Sequence, residues 1–210
     1  MQVPADSRPE RAGLVVAAAG VLLLVASALV ARNGRVGSAE ESVFRAVNEL
    51  PEWLYRPLWV FQQFGNLVVA FLVVLGVAVL LRRRRLALAA VLGVMAKLVL
   101  ERVVKMVVER ERPGTSVGDI VARGEVSLDG LSFVSGHVVI TTALALALTG
   151  ALPGRWRVVP WVAVALNGFG RVYVGAHNPL DVVGGLGLGM VIGSALYALV
   201  ASEVEVEGDR

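Results

Sequence analysis

Six long apolar runs dominate this 210-residue chain and constrain its fold more than any other feature. Each is close to the ~20 residues that an α-helix needs to cross the hydrocarbon core of a bilayer. They lie at about residues 12–31, 58–81, 86–108, 135–152, 158–176 and 180–200. Hydrophobic residues make up 56% of the chain, which is more than soluble domains usually contain. The sequence therefore predicts an all-α integral membrane bundle of six transmembrane helices.

Short loops and two tails account for the remaining residues, so residues 1–210 are predicted to form a single membrane domain. The run at 12–31 is longer than the ~7–15 apolar residues of a signal peptide, which favours a retained helix over a cleaved signal. The formal net charge of +3 is spread over many loops and argues against a nucleic-acid partner. The chain has no cysteine, which excludes disulfides and thiolate chemistry.

Four consecutive arginines, Arg82 to Arg85, connect the second and third runs. Short basic loops stay on the cytoplasmic side of a membrane, so this linker is predicted to face the cytoplasm. Alternation from that point places residues 32–57, 109–134 and 171–179 outside and both termini in the cytoplasm. The predicted localisation is therefore the cytoplasmic membrane.

The outer loop 32–57 contains an amphipathic segment that predicts an interfacial helix. Its apolar positions recur at helical spacing and are Val43, Phe44, Val47, Leu50 and Leu54. Two interpretations stay open: a simple membrane anchor, or a helix that guides a lipid headgroup.

Chemistry-bearing residues occur in three separated segments that the topology brings to the outer surface. The segments are Lys105-x6-Arg112-Pro113, Ser135-Gly136-His137 and Arg171-x5-His177-x3-Asp181, and they include both histidines of the chain. Guanidinium groups match phosphate oxygens two at a time, and lysine adds a point charge. A helix that begins at Ser135 and Gly136 would present free N–H groups to an anion. The pattern predicts a phosphate site.

The two histidines suit the two halves of a phosphoryl transfer. Asn178-Pro179 is typical of a helix start, which would let Asp181 point back at His177 and orient its ring. An imidazole held in this way is a nucleophile, and a phosphohistidine intermediate follows. His137 can protonate the leaving group and then activate water. The three cations can carry the phosphoryl charge, so neither a metal nor another cofactor is expected.

These motifs resemble the type 2 phosphatidic acid phosphatase (PAP2) superfamily, which also includes vanadium haloperoxidases. The family pattern is K-x6-R-P, P-S-G-H and S-R-x5-H-x3-D, and every spacing is preserved here. The resemblance implies a PAP2-like helical core in the membrane. It implies His177 as nucleophile, Asp181 as its partner and His137 as general acid. The phosphate binders that it implies are Lys105, Arg112, Ser135, Gly136 and Arg171.

Two positions depart from that pattern: Val134 stands where the family has proline, and Gly170 stands where it has serine. The second change removes a hydroxyl and predicts a slower enzyme or a shifted substrate preference. Outside the motifs, Lys97 and Glu101 are interpreted as a structural pair, with tuning of Lys105 as the alternative. Glu109 and Glu111, beside Arg110 and Arg112, are interpreted as surface ion pairs of little energetic weight.

The sequence thus predicts a metal-independent phosphatase that acts on a lipid phosphate or diphosphate at the outer membrane surface. The candidate substrate classes are phosphatidate, phosphatidylglycerophosphate and polyprenyl diphosphate. Two alternatives stay open: a lipid phosphotransferase with the same intermediate, and a non-catalytic membrane protein that binds or transports phospholipid. The sequence indicates neither the lipid tail nor the oligomeric state.

Overall fold

The computed structural model describes residues 7–208, and every regular element in that range is a helix. The α-helices are α1 Ser7–Ala31, α2 Ser38–Asn48, α3 Tyr55–Gln63, α4 Leu67–Leu80, α5 Arg84–Val107, α6 Pro113–Ser116, α7 Gly136–Ala151, α8 Val158–Tyr173 and α9 Pro179–Gly208. Short 3₁₀ turns at Glu52–Leu54 and Gly154–Arg157 precede α3 and α8. The predicted all-α class is confirmed for these residues. The predicted cytoplasmic location of the two termini concerns residues outside the described range.

The six apolar runs all coincide with helices, but their lengths differ. By length and composition, Arg11–Ala31 and Pro179–Ser202 are suited to crossing a membrane, and a bent pair, Glu52–Gln63 with Leu67–Leu80, could form a third span. Helices α7 and α8 have 16 residues each. At 1.5 Å per residue this is about 24 Å, less than the ~30 Å hydrocarbon core. The total of six spans therefore stays a prediction.

The predicted second span, residues 58–81, is wrong as a single helix, because α3 and α4 meet at a bend of 60°. Asn66 begins α4 by accepting hydrogen bonds from the backbone N–H groups of Val68 and Val69. The preceding Gly65 is packed so closely that a Cβ there would lie 2.7 Å from Cβ of His137. The bend therefore brings the end of α3 against one of the two histidines.

Glycines allow α9 to pack closely against two other helices. A Cβ on Gly187 would lie 2.6 Å from the backbone nitrogen of Leu24 in α1. A Cβ on Gly189 would lie 2.5 Å from Cβ of Thr142 in α7. Small residues let membrane helices approach in this way. The backbone of α9 is thereby fixed against α1 on one side and α7 on the other.

Helix α7 is the central helix of the bundle. It packs against α4, α5, α8 and α9, and residues 138–147 are all buried. Large apolar side chains instead point outward from the surrounding helices, as Leu14 of α1, Leu80 of α4 and Val107 of α5 do. This arrangement puts the first turn of α7 at the centre of one end of the bundle.

Helix α2 forms where the interfacial helix was predicted, but its buried side differs from the prediction. Val43 is exposed, whereas Phe44 and Asn48 are buried. The Asn48 side chain donates to the carbonyls of Val121 and Tyr173, at 2.8 and 2.9 Å. Helix α2 is therefore fixed to the loop between α6 and α7 and to the end of α8, next to the converging motifs.

Candidate active site

The three motifs meet at one end of the bundle, around the first turns of α7 and α9. The backbone N–H of Ser135 donates to the carbonyl of Asp181 at 2.9 Å. An Nη of Arg112 donates to the carbonyl of Ala176 at 3.0 Å, immediately before His177. These bonds connect the second motif with the third and the first motif with the third. Residues distant in sequence thus surround one small region.

His177 lies in the turn between α8 and α9, with Asp181 behind it. Helix α9 begins at Pro179, as the Asn178-Pro179 pair predicts. Oδ2 of Asp181 accepts from the backbone N–H of Asn178 at 2.8 Å, the reach from third helical residue to cap that is typical of a capping box. The same oxygen lies 3.7 Å from Nδ1 of His177. This is longer than a hydrogen bond, and catalytic contacts commonly tighten when substrate binds.

The environment of His177 favours the neutral imidazole. Its side chain is only 3% exposed. Burial lowers the pKa of His177 well below its ordinary value, and the positive charges of Arg171 and Arg112 lower it further. With Nδ1 turned toward Asp181, Nε2 is left as the free nitrogen. An unprotonated ring nitrogen is what a nucleophilic histidine requires.

Several buried polar atoms in the three motifs have no hydrogen-bond partner, and Nδ1 of His177 is one of them. They include Oγ of Ser135, Nε of Arg112 and Nε of Arg171. Ser135 is the N-cap residue of α7, yet its side chain makes no capping bond. Unpartnered buried polar groups are rare in folded proteins and call for a ligand or water. Here they include two guanidinium donors and a hydroxyl beside a helix N-terminus, which is a suitable set for a phosphate.

Gly136 has a functional neighbour that the motif does not contain. A Cβ on Gly136 would lie 2.5 Å from both carboxylate oxygens of Glu101. The same carboxylate is 2.8 Å from Nζ of Lys97 and 3.0 Å from Nζ of Lys105. Glu101 thus pairs with Lys97, as the structural interpretation expects, and also with the motif residue Lys105, which the alternative of tuning Lys105 requires. The spacing of four residues along α5 places all three side chains on one face of the helix.

Arg110 is not a surface residue, and that sequence interpretation is wrong. Its side chain is fully buried. One Nη lies 3.1 Å from Oδ1 of Asp181, and both Nη atoms donate to the carboxylate of Glu40, at 3.0 and 2.5 Å. The partners are 70 and 71 residues away in sequence. No local pattern could have indicated them.

The side chain of Gln62, a residue that the sequence analysis did not single out, fills the space beside Gly170. A Cβ on Gly170 would lie 3.1 Å from Cγ of Gln62. Oε1 of Gln62 accepts from an Nη of Arg171 at 3.1 Å. Gln62, Arg171 and His137 line a polar cavity of about 280 Å³ at the end of the bundle where the motifs meet. The cavity therefore reaches one of the two histidines and one of the motif arginines.

A second cavity lies on the other side of the α3–α4 bend, between α4, α7 and α8. It measures about 400 Å³ and is lined by apolar side chains, among them Phe61, Phe64 and Leu144. Phe61 and Phe64 flank Gln62 of the polar cavity. Among the side chains that the structure describes, residues 11–202, no group of three His, Cys, Asp or Glu is placed to hold a metal ion.

Comparison with known proteins identifies relatives of the chain. The sequence profile of the PAP2 superfamily matches residues 84–205. Decaprenylphosphoryl-5-phosphoribose phosphatase of Mycobacterium tuberculosis is 32% identical over 176 residues, which cover 83% of this chain and 85% of that protein. Undecaprenyl-diphosphatase of Sulfolobus acidocaldarius is 32% identical over 108 residues, 51% of this chain and 52% of that protein.

Two solved structures share the fold. LpxE of Aquifex aeolicus superposes with a TM-score of 0.66 and 23% identity over 74% of this chain and 92% of that one. A transmembrane PAP2-type phosphatidylglycerolphosphate phosphatase of Bacillus subtilis superposes with a TM-score of 0.64 and 24% identity, covering 89% of this chain and 96% of that one.

Proposed function

The chain belongs to the PAP2 superfamily and is a phosphatase, and from this premise we propose that it hydrolyses a lipid phosphate or diphosphate through a phosphohistidine formed on His177. The observation that carries the proposal is a set of buried, unpartnered donors in the motifs that meet at that histidine, namely Ser135 Oγ, Arg112 Nε and Arg171 Nε. The charges of Arg171 and Arg112 act on the His177 imidazole, and these donors can bind the equatorial oxygens of a phosphoryl group. This is the electrostatic stabilisation that phosphoryl transfer requires.

The reaction has two steps. In the first, Nε2 of His177 forms a bond to phosphorus while the bond from phosphorus to the leaving oxygen breaks and that oxygen takes a proton from His137. The ring of His177 becomes a cation beside the carboxylate of Asp181. In the second step, His137 takes a proton from water, the resulting hydroxide attacks phosphorus and the P–N bond breaks. Inorganic phosphate leaves, and both histidines return to their starting state.

A lipid substrate is favoured by what surrounds the site. Helices α1, α4 and α5 expose large apolar side chains, as expected of surfaces in contact with lipid. The apolar cavity beside Phe61 and Phe64 can accommodate part of a hydrocarbon chain. The Mycobacterium tuberculosis and Sulfolobus acidocaldarius relatives are named for polyprenyl-linked substrates. Among the candidate lipid classes, a polyprenyl-linked phosphate is therefore the first to test.

The arginine linker supports an extracytoplasmic site. Arg84 begins α5 and Lys105 lies near its other end. The 21 residue steps from Arg84 to Lys105 correspond to about 32 Å at 1.5 Å per step, roughly the thickness of a hydrocarbon core. With the linker on the cytoplasmic side, Lys105 and the phosphate site face the opposite side. Membrane insertion and this orientation are parts of the proposal.

The test is phosphate release from the detergent-solubilised full chain, with a panel of polyprenyl phosphates, polyprenyl diphosphates and diacylglycerol phosphates. We expect release in the presence of a chelator and none from His177→Ala. Activity that survives in His177→Ala, or that a chelator abolishes, would overturn the mechanism. Products formed in the presence of alcohol acceptors distinguish a hydrolase from a phosphotransferase.

A further inference from the structure

A buried charge cluster lies directly behind the nucleophile and outside the three motifs. Arg110 comes from the loop after α5, Glu40 from the first turn of α2 and Asp181 from the first turn of α9. The Arg110 side chain is fully buried, that of Asp181 is 0% exposed and that of Glu40 is 9% exposed. Three charges so deeply buried are stable only when each is paired and hydrogen-bonded. Each contact within the cluster therefore matters for holding the other two residues in place.

The two carboxylate oxygens of Asp181 have different partners. Oδ1 accepts from Arg110 at 3.1 Å. Oδ2 accepts from the N–H of Asn178 at 2.8 Å and is the oxygen that faces Nδ1 of His177. Two bonds at opposite ends of a carboxylate fix its plane. Arg110 thereby determines how Asp181 is presented to His177.

Glu40 holds the outer side of Arg110. Its two oxygens accept from the two Nη atoms, so the contact is bidentate. Oε1 also accepts from the backbone N–H of Leu180 at 2.9 Å. Glu40 is therefore bonded both to the arginine and to the first turn of the helix that carries Asp181.

The formal charges of the cluster explain why a second carboxylate is present. Asp181 and Arg110 alone would be neutral as a pair and would offer His177 little net field. With Glu40 the cluster carries a net charge of −1. The ring of His177 gains a positive charge when it is phosphorylated, so this charge stabilises the phosphorylated state more than the resting state.

We propose that Glu40 and Arg110 are positioning residues for the phosphoryl transfer: Arg110 orients Asp181, and Glu40 preserves a negative charge behind His177. The inference rests on the proposed function, because it concerns the same histidine. Neither residue touches the substrate. Their effect reaches it through Asp181 and then His177.

The first experiment compares Glu40→Gln with Glu41→Gln. Glutamine keeps one acceptor oxygen, which can take the place of Oε1 toward Leu180 and one Nη of Arg110, but it removes the charge and the second acceptor. Glu41, its neighbour on α2, pairs with the partly exposed Arg45 of the same helix. We expect Glu40→Gln to lower kcat on the order of tenfold with KM within about twofold, as loss of a nearby buried charge predicts. Glu41→Gln should match the wild type in kcat and in melting temperature, and kcat of Glu40→Gln is measured well below its own melting temperature in detergent.

The second experiment is a double-mutant cycle. Arg110→Met leaves two buried carboxylates without their cation and should lower kcat more than Glu40→Gln. Adding Glu40→Gln to Arg110→Met restores a net charge of −1, so the double variant should be no less active than Arg110→Met alone. Independent structural damage would instead multiply the two losses. Arg110→Lys, which keeps the charge, should recover part of the kcat.

The outcomes separate this inference from the proposed function. A wild-type protein that releases phosphate, with Glu40→Gln indistinguishable from Glu41→Gln or with multiplicative losses in the cycle, overturns the positioning role alone. A wild-type protein that releases no phosphate from any lipid of the panel overturns the proposed function. In that case the positioning role is tested by the affinity for vanadate, which adopts the trigonal-bipyramidal geometry of a transferring phosphate. Glu40→Gln should bind vanadate more weakly than Glu41→Gln does. Equal affinities would overturn the positioning role.

Discussion

The two sides of the His177 ring are built in opposite ways. Behind the ring, Asp181 is bonded to Asn178 and Arg110, and Arg110 is bonded to Glu40. Elsewhere around it, donor atoms of Ser135, Arg112 and Arg171 are buried without partners. The carboxylates behind the ring are bonded within the protein, although Nδ1 of His177 still lies 3.7 Å from Asp181, whereas the donors of the other group have no partner within the protein. In the proposed mechanism, the first group prepares the nucleophile and the second receives the phosphate.

The largest expected effect lies on the paired side. Asp181→Asn keeps the shape of the side chain and removes the charge that stabilises the phosphorylated ring. We expect kcat to fall on the order of 10³-fold or more, as in triads whose orienting carboxylate becomes an amide. Exposed Asp129→Asn serves as the control and should behave as the wild type. A loss of tenfold or less would mean that Asp181 has mainly a capping role for α9.

A smaller effect is expected on the open side. Ser135→Ala removes one unpartnered hydroxyl and leaves the backbone N–H bonded to Asp181. One hydrogen bond to a charged phosphate oxygen is worth about 1.5–3 kcal/mol, so kcat/KM should fall by about 10- to 100-fold. The unfolding temperature should not fall, because no bond within the protein is lost. Ser42→Ala, on the exposed surface of α2, is the matched control. A destabilised Ser135→Ala protein would show that the hydroxyl has a structural partner.

The smallest effect concerns pH. Because burial lowers the pKa of His177, the ring stays neutral as the pH falls through about 6.5, the ordinary pKa of histidine. Protonation, which would stop nucleophilic attack, begins only below that value. We expect the rate of phosphoenzyme formation in a rapid-quench measurement not to fall between pH 7.5 and 6.5, since His177 stays neutral and protonation of His137, the proton donor of this step, can only raise the rate. An acid limb centred near pH 6.5 would show that His177 is more accessible to water than in this structure.

Much of the site could be predicted from sequence, because the motifs lie next to helix ends. Asn178 and Pro179 predict where α9 begins, and the structure has its first residue at Pro179. Because α9 begins there, Asp181 is the third helical residue, and its carboxylate accepts from the backbone N–H of Asn178. Ser135 and Gly136 likewise mark the start of α7. Such signals involve residues only a few positions apart, so they determine where a helix begins without help from tertiary contacts.

The residues that were missed have no such signal. Glu40, Gln62 and Arg110 act through partners far away in the sequence. The break in the predicted span 58–81 did have a local signal: Gln62, Gln63, Gly65 and Asn66 interrupt the apolar run, and Asn66 caps α4. It was missed because the average hydropathy of the run stays high. A hydropathy pattern records burial in lipid but not the direction of a helix.

The sequence by itself determined the helical class, the phosphate chemistry and the eight residues of the three motifs, since each depends on residue type and short spacing. Only the tertiary structure decided what stands behind and beside them. Arg110 is buried because α2 and α9 bring Glu40 and Asp181 to the same point, and Gln62 reaches Arg171 because the chain bends after α3. In a bundle with few internal charges, the partner of each one depends on how helices distant in sequence pack.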